Sequence, residues 1–126
     1  MVKALVDSNV LVDNLRKYEP ADLWLRGQDD LAVSRAVWLE LLEGAETRSE
    51  QQRAVILLND FQLIELTVSD FDWATQQLIK YHPSHGIDAF DCLIAAPCYR
   101  LQLPLYTRNM KDHRLLLGNL AREPYT

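Results

Sequence analysis

The stretch Val2 to Asp13, VKALVDSNVLVD, constrains this chain most, because an apolar, β-prone run ends abruptly on an acid. Ala4, Leu5 and Val6 suit a short strand buried on both faces, and Asp7-Ser8-Asn9 then stops it with three residues that favour helix caps. Asp7 therefore stands at the carboxyl end of a first strand, the edge at which open α/β sheets gather ligands and catalytic groups. Taken alone, Asp7 reads first as the cap of the next helix. Other acids must shift that reading.

The chain that follows alternates. Asn9 to Arg16 reads as a helix, and Pro20 opens a second short one through Ala21, Leu23, Trp24 and Leu25. After the turn Gly27 to Asp30, Leu31-Ala32-Val33 reads as a strand, with Ser34 capping a helix from Arg35 to Glu46. A helix from about Ser49 to Phe61, the strand Leu63 to Thr67 and a helix capped by Ser69 or Asp70 follow, the last ending near Tyr81. His82 to Gly86 should form a loop. Asp88 to Leu103 is apolar and helix-like, with a kink or break expected at Pro97, and Pro104 ends it before a short strand at Leu105-Tyr106. A weakly patterned edge strand is expected around Gly118 to Ala121. Strands separated by helical segments imply an α/β fold, a mainly parallel central sheet with helices on both faces.

With 126 residues, 48% hydrophobic and 25% charged, the chain fits one folded domain, 1–126. Its net charge of −5 argues against a generally basic nucleic-acid binder, though not against an enzyme that handles a polyanion through bound cations. No apolar run approaches the roughly 18 residues that span a bilayer, and Met1-Val2-Lys3 leads into the strand rather than into a signal sequence, so a cytoplasmic protein without membrane contact is expected. Cys92 and Cys98 match neither redox nor zinc spacing and read as buried thiols. His82 and His85 bracket Pro83, which disfavours a helical pair of metal ligands.

Three further segments carry acids. In VSRAVWLELLEGAE, Glu40 lies off the apolar face drawn by Trp38, Leu41, Leu42 and Ala45. Its i−4 and i+4 neighbours, Ala36 and Gly44, are small and leave room for an approaching group. Asp88 and Asp91 in GIDAFDCLIAA have the spacing of a capping box. That explains Asp88 better than Asp91, which heads an unbroken apolar run and needs a partner for its charge. TRNMKDH follows the strand at Tyr106 and offers Asn109 and Asp112, amid positive charge from Arg108, Lys111 and Arg114.

Together, LVDSNVLVD, the serine-to-glycine pattern from Ser34 to Gly44 around Glu40, DCLIAA from Asp91, and PLYTRNMKDH resemble the PIN-domain nucleases, and within them the VapC type of bacterial toxin. The resemblance covers nearly the whole chain and keeps the order of the motifs. It implies a PIN-like fold and a metal-dependent endoribonuclease acting as the toxin of a type II toxin–antitoxin system. By the same resemblance, Asp7, Glu40 and Asp91 are its metal-binding and catalytic acids, Ser8 suits the first motif, and the fourth acidic position falls to Asn109 or to Asp112. Pro97 and His113 stand where relatives more often have a small helix former and a phenylalanine, exchanges expected to touch packing more than chemistry. A cognate antitoxin and a homodimer are implied as partners.

Physical chemistry agrees with that resemblance. Two carboxylates about 4 Å apart repel by about 4 kcal/mol at an effective dielectric near 20, so several sharing one pocket call for a cation. Oxygen ligands favour Mg²⁺ or Mn²⁺, which would orient a phosphate and ionise an attacking water. Glu40 is the candidate proton acceptor, and Arg108, Lys111 and Arg114 are the candidate phosphate contacts, with Arg16 and Lys17 behind them. Two alternatives stand beside this reading. One is a receiver or phosphatase-like domain, for which Asn9 and Lys111 match poorly. The other is a catalytically impaired PIN fold serving as an RNA- or partner-binding module, which the neutral Asn109 would suit.

Overall fold

Ala4, Leu5 and Val6 are each no more than 3% exposed, and all four residues of the next strand, Leu31–Ser34, are buried. Successive strand residues point to opposite faces, so these strands are covered on both sides, as a parallel sheet between helices requires. The computed structural model describes residues 1–126. Its five strands are β1 (Ala4–Val6), β2 (Leu31–Ser34), β3 (Gln62–Ile64), β4 (Leu105–Tyr106) and β5 (Ala121–Arg122), ordered β3-β2-β1-β4-β5 with every pairing parallel. The expected α/β architecture is the one observed.

That strand order positions the site. From β1 the chain winds outward through β2 to β3, then crosses back to lay β4 against the other side of β1. The connections from β1 and β4 therefore leave in opposite directions, opening a crevice at their carboxyl ends where an α/β sheet binds ligands.

Seven helices connect the strands: α1 (Ser8–Leu15), α2 (Glu19–Arg26), α3 (Arg35–Glu43), α4 (Arg48–Leu58), α5 (Val68–His85), α6 (Ala89–Leu101) and α7 (Met110–Leu117). Their starts follow local chemistry. Ser34 accepts from the Val37 amide at the head of α3, and Thr47 accepts from Glu50 at the head of α4. Thr67, rather than Ser69 or Asp70, caps α5, and Asp70 completes the capping box from the third position. The Asp88–Asp91 capping box expected for α6 is present in full.

Several boundaries differ from those read in the sequence. The stretch His82–His85 is not a loop: α5 continues through Pro83 and ends at Gly86, whose φ of +69° provides the left-handed cap. Pro83 lies in the last turn, where it removes one i→i−4 hydrogen bond and only Ser84 and His85 follow it before the cap. Pro97 does not break α6, which runs to Leu101. Burial of Ile94, Ala95, Ala96, Pro97 and Cys98 outweighs the roughly 3 kcal/mol that a helix-interior proline costs. The strand expected at Leu63–Thr67 shortens to Gln62–Ile64, and α3 stops at Glu43 with Gly44 as its cap. Gly118–Leu120 forms a 3₁₀ turn, and the edge strand begins only at Ala121. Cys92 and Cys98 are free and buried, as expected. No helix is long and apolar enough to cross a membrane.

Candidate active site

Asp7 follows β1 directly and is 4% exposed. Its backbone N–H donates to Tyr106 O of β4 at 2.9 Å, which ties the ends of the two strands together. Its side chain also caps α1, since Oδ1 accepts from Ser8 N at 2.7 Å. Oδ2 accepts from Thr107 Oγ1 at 2.7 Å and from Asn9 Nδ2 at 3.2 Å. Capping and facing the crevice are thus roles of one side chain. Burial acts to raise the Asp7 pKa, but the contacts with His113, Thr107 and Ser8 outweigh it and hold the carboxyl below its ordinary value.

Glu40 reaches the same place from α3. Ser8 Oγ donates a short hydrogen bond to Glu40 Oε1, so one buried hydroxyl joins the first two acids. Partial burial raises the Glu40 pKa, the Ser8 bond opposes this, and repulsion from Asp7 and Asp88 adds to it. A groove of about 480 Å³ opens onto Ser8 and Glu40, with Gly44, Val12 and Arg53 also along it.

Asp91 comes from the first turn of α6. Its Oδ2 accepts from the Asp88 amide at 3.2 Å, and burial raises its pKa to about 6. Between Asp91 and Asp7 lies His113, from α7, with no exposed surface. His113 Nε2 is 3.2 Å from Asp7 Oδ2 and 3.9 Å from Asp91 Oδ1, yet neither ring nitrogen has a partner in hydrogen-bond geometry. Burial lowers the His113 pKa, and the contact with Asp7 and the charges of Asp91 and Asp112 more than reverse that. His113, expected to touch packing more than chemistry, thus stands against two of the acids. The exchange puts two polar nitrogens among the acids.

The TRNMKDH segment closes the arrangement. Asn109 caps α7 and donates from Nδ2 to Asp112 Oδ2 at 3.0 Å, so the two candidates for the fourth acidic position are bonded to each other. Thr107 Oγ1 accepts from Asn109 N at 2.9 Å while donating to Asp7. Lys111 and Arg114 are exposed along a depression of about 470 Å³ beside His85. Arg108 turns the other way: its guanidinium lies 4.6 Å over the Tyr125 ring and 3.5 Å from Asp13 Oδ2.

Thr107, Asn9 and His113 build the site without having been singled out as site residues. Thr107 carried a signal, a hydroxyl at the end of a strand beside Asp7. Asn9 and His113 gain meaning only from what packs against them.

The donor set of carboxylates with neighbouring hydroxyl and amide oxygens suits a hard divalent ion. The raised pKa values of Glu40 and Asp91 record the repulsion and desolvation that such an ion would relieve. No three His, Cys, Asp or Glu side chains are arranged as a ready cage. Mg²⁺ does not ask for one, since it is commonly held by one or two carboxylates, water and a substrate phosphate. The residues therefore fit a hydrated ion gripped from one side.

Known proteins share the pattern and the fold of this chain. The pattern of the PIN domain matches residues 4–114. No curated protein matches the chain. The fold is similar to a chain in a toxin–antitoxin complex from Klebsiella pneumoniae, with a TM-score of 0.80 and 26% identity over 98% of both chains. It is also similar to a chain of DNA-bound VapBC from Salmonella typhimurium, with a TM-score of 0.75 and 17% identity over 98% of both. A third similarity is to FitAcB from Neisseria gonorrhoeae, with a TM-score of 0.68 and 23% identity over 87% of this chain and 90% of that one. The last two carry the fold alone.

Proposed function

This chain belongs to the PIN-domain family, and from that premise we propose that it is a VapC-type toxin, a metal-dependent endoribonuclease whose residues 1–126 work as one nuclease domain. The observation that carries the reading is the meeting of Asp7, Glu40 and Asp91, from three separate elements, at the β1–β4 crevice around Ser8 and His113.

Asp7 and Asp91 hold the divalent ion, Mg²⁺ or Mn²⁺, with Glu40 beside them. The ion, when bound, lends Lewis acidity to the scissile phosphate and lowers the pKa of the attacking water. Thr107, Asn9 and Ser8 fix the Asp7 carboxylate, so its orientation costs nothing at the moment of reaction. Glu40, with its pKa pushed up, accepts the proton of the water, and Ser8 Oγ keeps it turned toward Asp7. Asp112, steered by Asn109, adds negative charge at the fourth position. Lys111 and Arg114 take backbone phosphates, offsetting the repulsion between RNA and a chain of net charge −5. Arg108 is occupied by Asp13 and Tyr125, and contributes to RNA only by leaving them.

The similarity to a chain of the Klebsiella pneumoniae toxin–antitoxin complex supports a cognate antitoxin as partner, and a homodimer working in the cytoplasm completes the proposal. Cleavage of RNA by the purified chain, with Mg²⁺ or Mn²⁺ and after chelation, tests it. Cleavage should vanish with the metal and fall by about 10²-fold or more in Asp7→Asn and in Asp91→Asn. Undiminished cleavage in either variant overturns the site. RNA binding without cleavage by the unmodified chain favours the impaired module that the neutral Asn109 suits.

A further inference from the structure

Helix α7 works on two sides. One side carries His113 to Asp7 and Asp91, while Met110, Lys111, Arg114 and Leu115 line the depression of about 470 Å³ that they share with His85, the last residue of α5. No carboxylate lines that depression, on a chain of net charge −5. Lys111 and Arg114 are in no ion pair, whereas Arg26, Arg35, Arg100 and Arg108 each stand against a carboxylate. Two uncommitted cations and an imidazole therefore share one hollow.

His85 is exposed, yet its ring is held. Ser84 Oγ lies 2.7 Å from Nδ1, and the Tyr81 ring stands edge-on to the imidazole at 5.8 Å between centroids. With the serine hydroxyl donating to Nδ1, a neutral ring carries its proton on Nε2, which is then a donor ready for a ligand. A lysine point charge, an arginine fork and an imidazole N–H are donors that suit a phosphate, and Met110 and Leu115 add an apolar wall for what the phosphate is joined to. The place also fits. Only Gly86 to Asp88 separates His85 from α6, whose first turn holds Asp91, and Lys111 directly precedes Asp112, so the depression borders the acidic crevice.

We propose that this depression is a subsite for a backbone phosphate of single-stranded RNA flanking the scissile one, with His85 as a hydrogen-bond donor beside Lys111 and Arg114 and the attached sugar against Met110 and Leu115. The inference rests on the ribonuclease reading. It adds to that reading a substrate contact, His85, and a path for the strand across α7 toward the end of α5.

The test is binding of a fluorescent oligouridylate to the full chain at slightly alkaline pH, in chelator to prevent cleavage and again with Mg²⁺. Lys111→Gln and Arg114→Gln should each lower the slope of log affinity against log salt by about 0.7, the value for one phosphate contact on a single strand. His85→Ala should weaken binding by about tenfold at unchanged slope, since it removes a hydrogen bond to a charged group but releases no counterion. His85→Gln keeps a donor and should restore most of the loss. Unchanged affinity in His85→Ala, no recovery in His85→Gln, or equal binding of oligoglutamate overturns the subsite, and RNA cleavage that persists in these variants leaves the nuclease reading standing. If the unmodified chain neither binds nor cleaves RNA with Mg²⁺, both fail.

Discussion

Asp91 closes the capping box of α6 with the same carboxyl that faces His113, and its pKa of about 6 reflects burial first and the nearby charge of Asp88 after it. Between the ordinary 3.8 and about 6 it binds more protons in the folded chain than in the unfolded one. Folding stability therefore falls as pH rises through that window and levels off above it. Asp7 has the opposite sign: held below its ordinary value, it stabilises the fold above that value and withdraws its contribution as pH falls. Asp91→Asn removes the Asp91 part and weakens the hold on His113, two changes of the same sign, so the variant should gain stability on the unmodified chain from about pH 4 to about pH 7. Urea denaturation at several pH values measures this, and a difference that stays flat across the window contradicts it. A site that is more stable without one of its acids is one where function has been kept at the expense of the fold.

At the scale of elements, α5 and α6 are pinned by a bidentate pair. Arg100 Nε and Nη2 donate to the two carboxylate oxygens of Asp70 at 2.9 and 3.0 Å, and Asp70 is 1% exposed. Trp73 stacks on Tyr99 alongside, with ring centroids 5.0 Å apart. Arg100→Ala leaves the Asp70 charge buried with only the Thr67 amide against it, and should destabilise the chain by about 3 kcal/mol. The measurement is a lowered urea midpoint at unchanged slope. Elements also show where sequence reading stops. The Asp88–Asp91 capping box and the Ser34 cap are local, each reaching three residues along the chain, and were legible, whereas the cap of α5 fell on Thr67 rather than on Ser69 or Asp70. The continuity of α6 through Pro97 was not, because a proline's local penalty is visible in sequence while the burial that overrides it is not; that of α5 through Pro83 was not either, and there the residues are exposed and the helix end is closed instead by the Gly86 cap and the His82 contact with Ile87 O.

For the whole molecule, the strand order decides the outcome. Only because β4 returns beside β1 does Thr107 meet Asp7, across 100 positions of chain. The same return delivers His113 and Asp112 to the acids of α3 and α6. A bound divalent ion would relieve the repulsion that this gathering creates, and so should stabilise the fold. At about a hundred times its Kd, Mn²⁺ or Mg²⁺ is worth about 2.7 kcal/mol. That should raise the Tm by several degrees, chelator should reverse the rise, and Asp7→Asn should abolish it. The sequence by itself determined the alternation of strands and helices, the acid at the end of β1 and the motif order that marks the PIN family, since periodicity, capping and spacing are properties of neighbours along the chain. It could not determine that a histidine would stand between Asp7 and Asp91, that Asn109 would be bonded to Asp112, or that Arg108 would turn toward Tyr125. Those relations join residues far apart in the chain, and only the packing of the tertiary structure sets the distances between them.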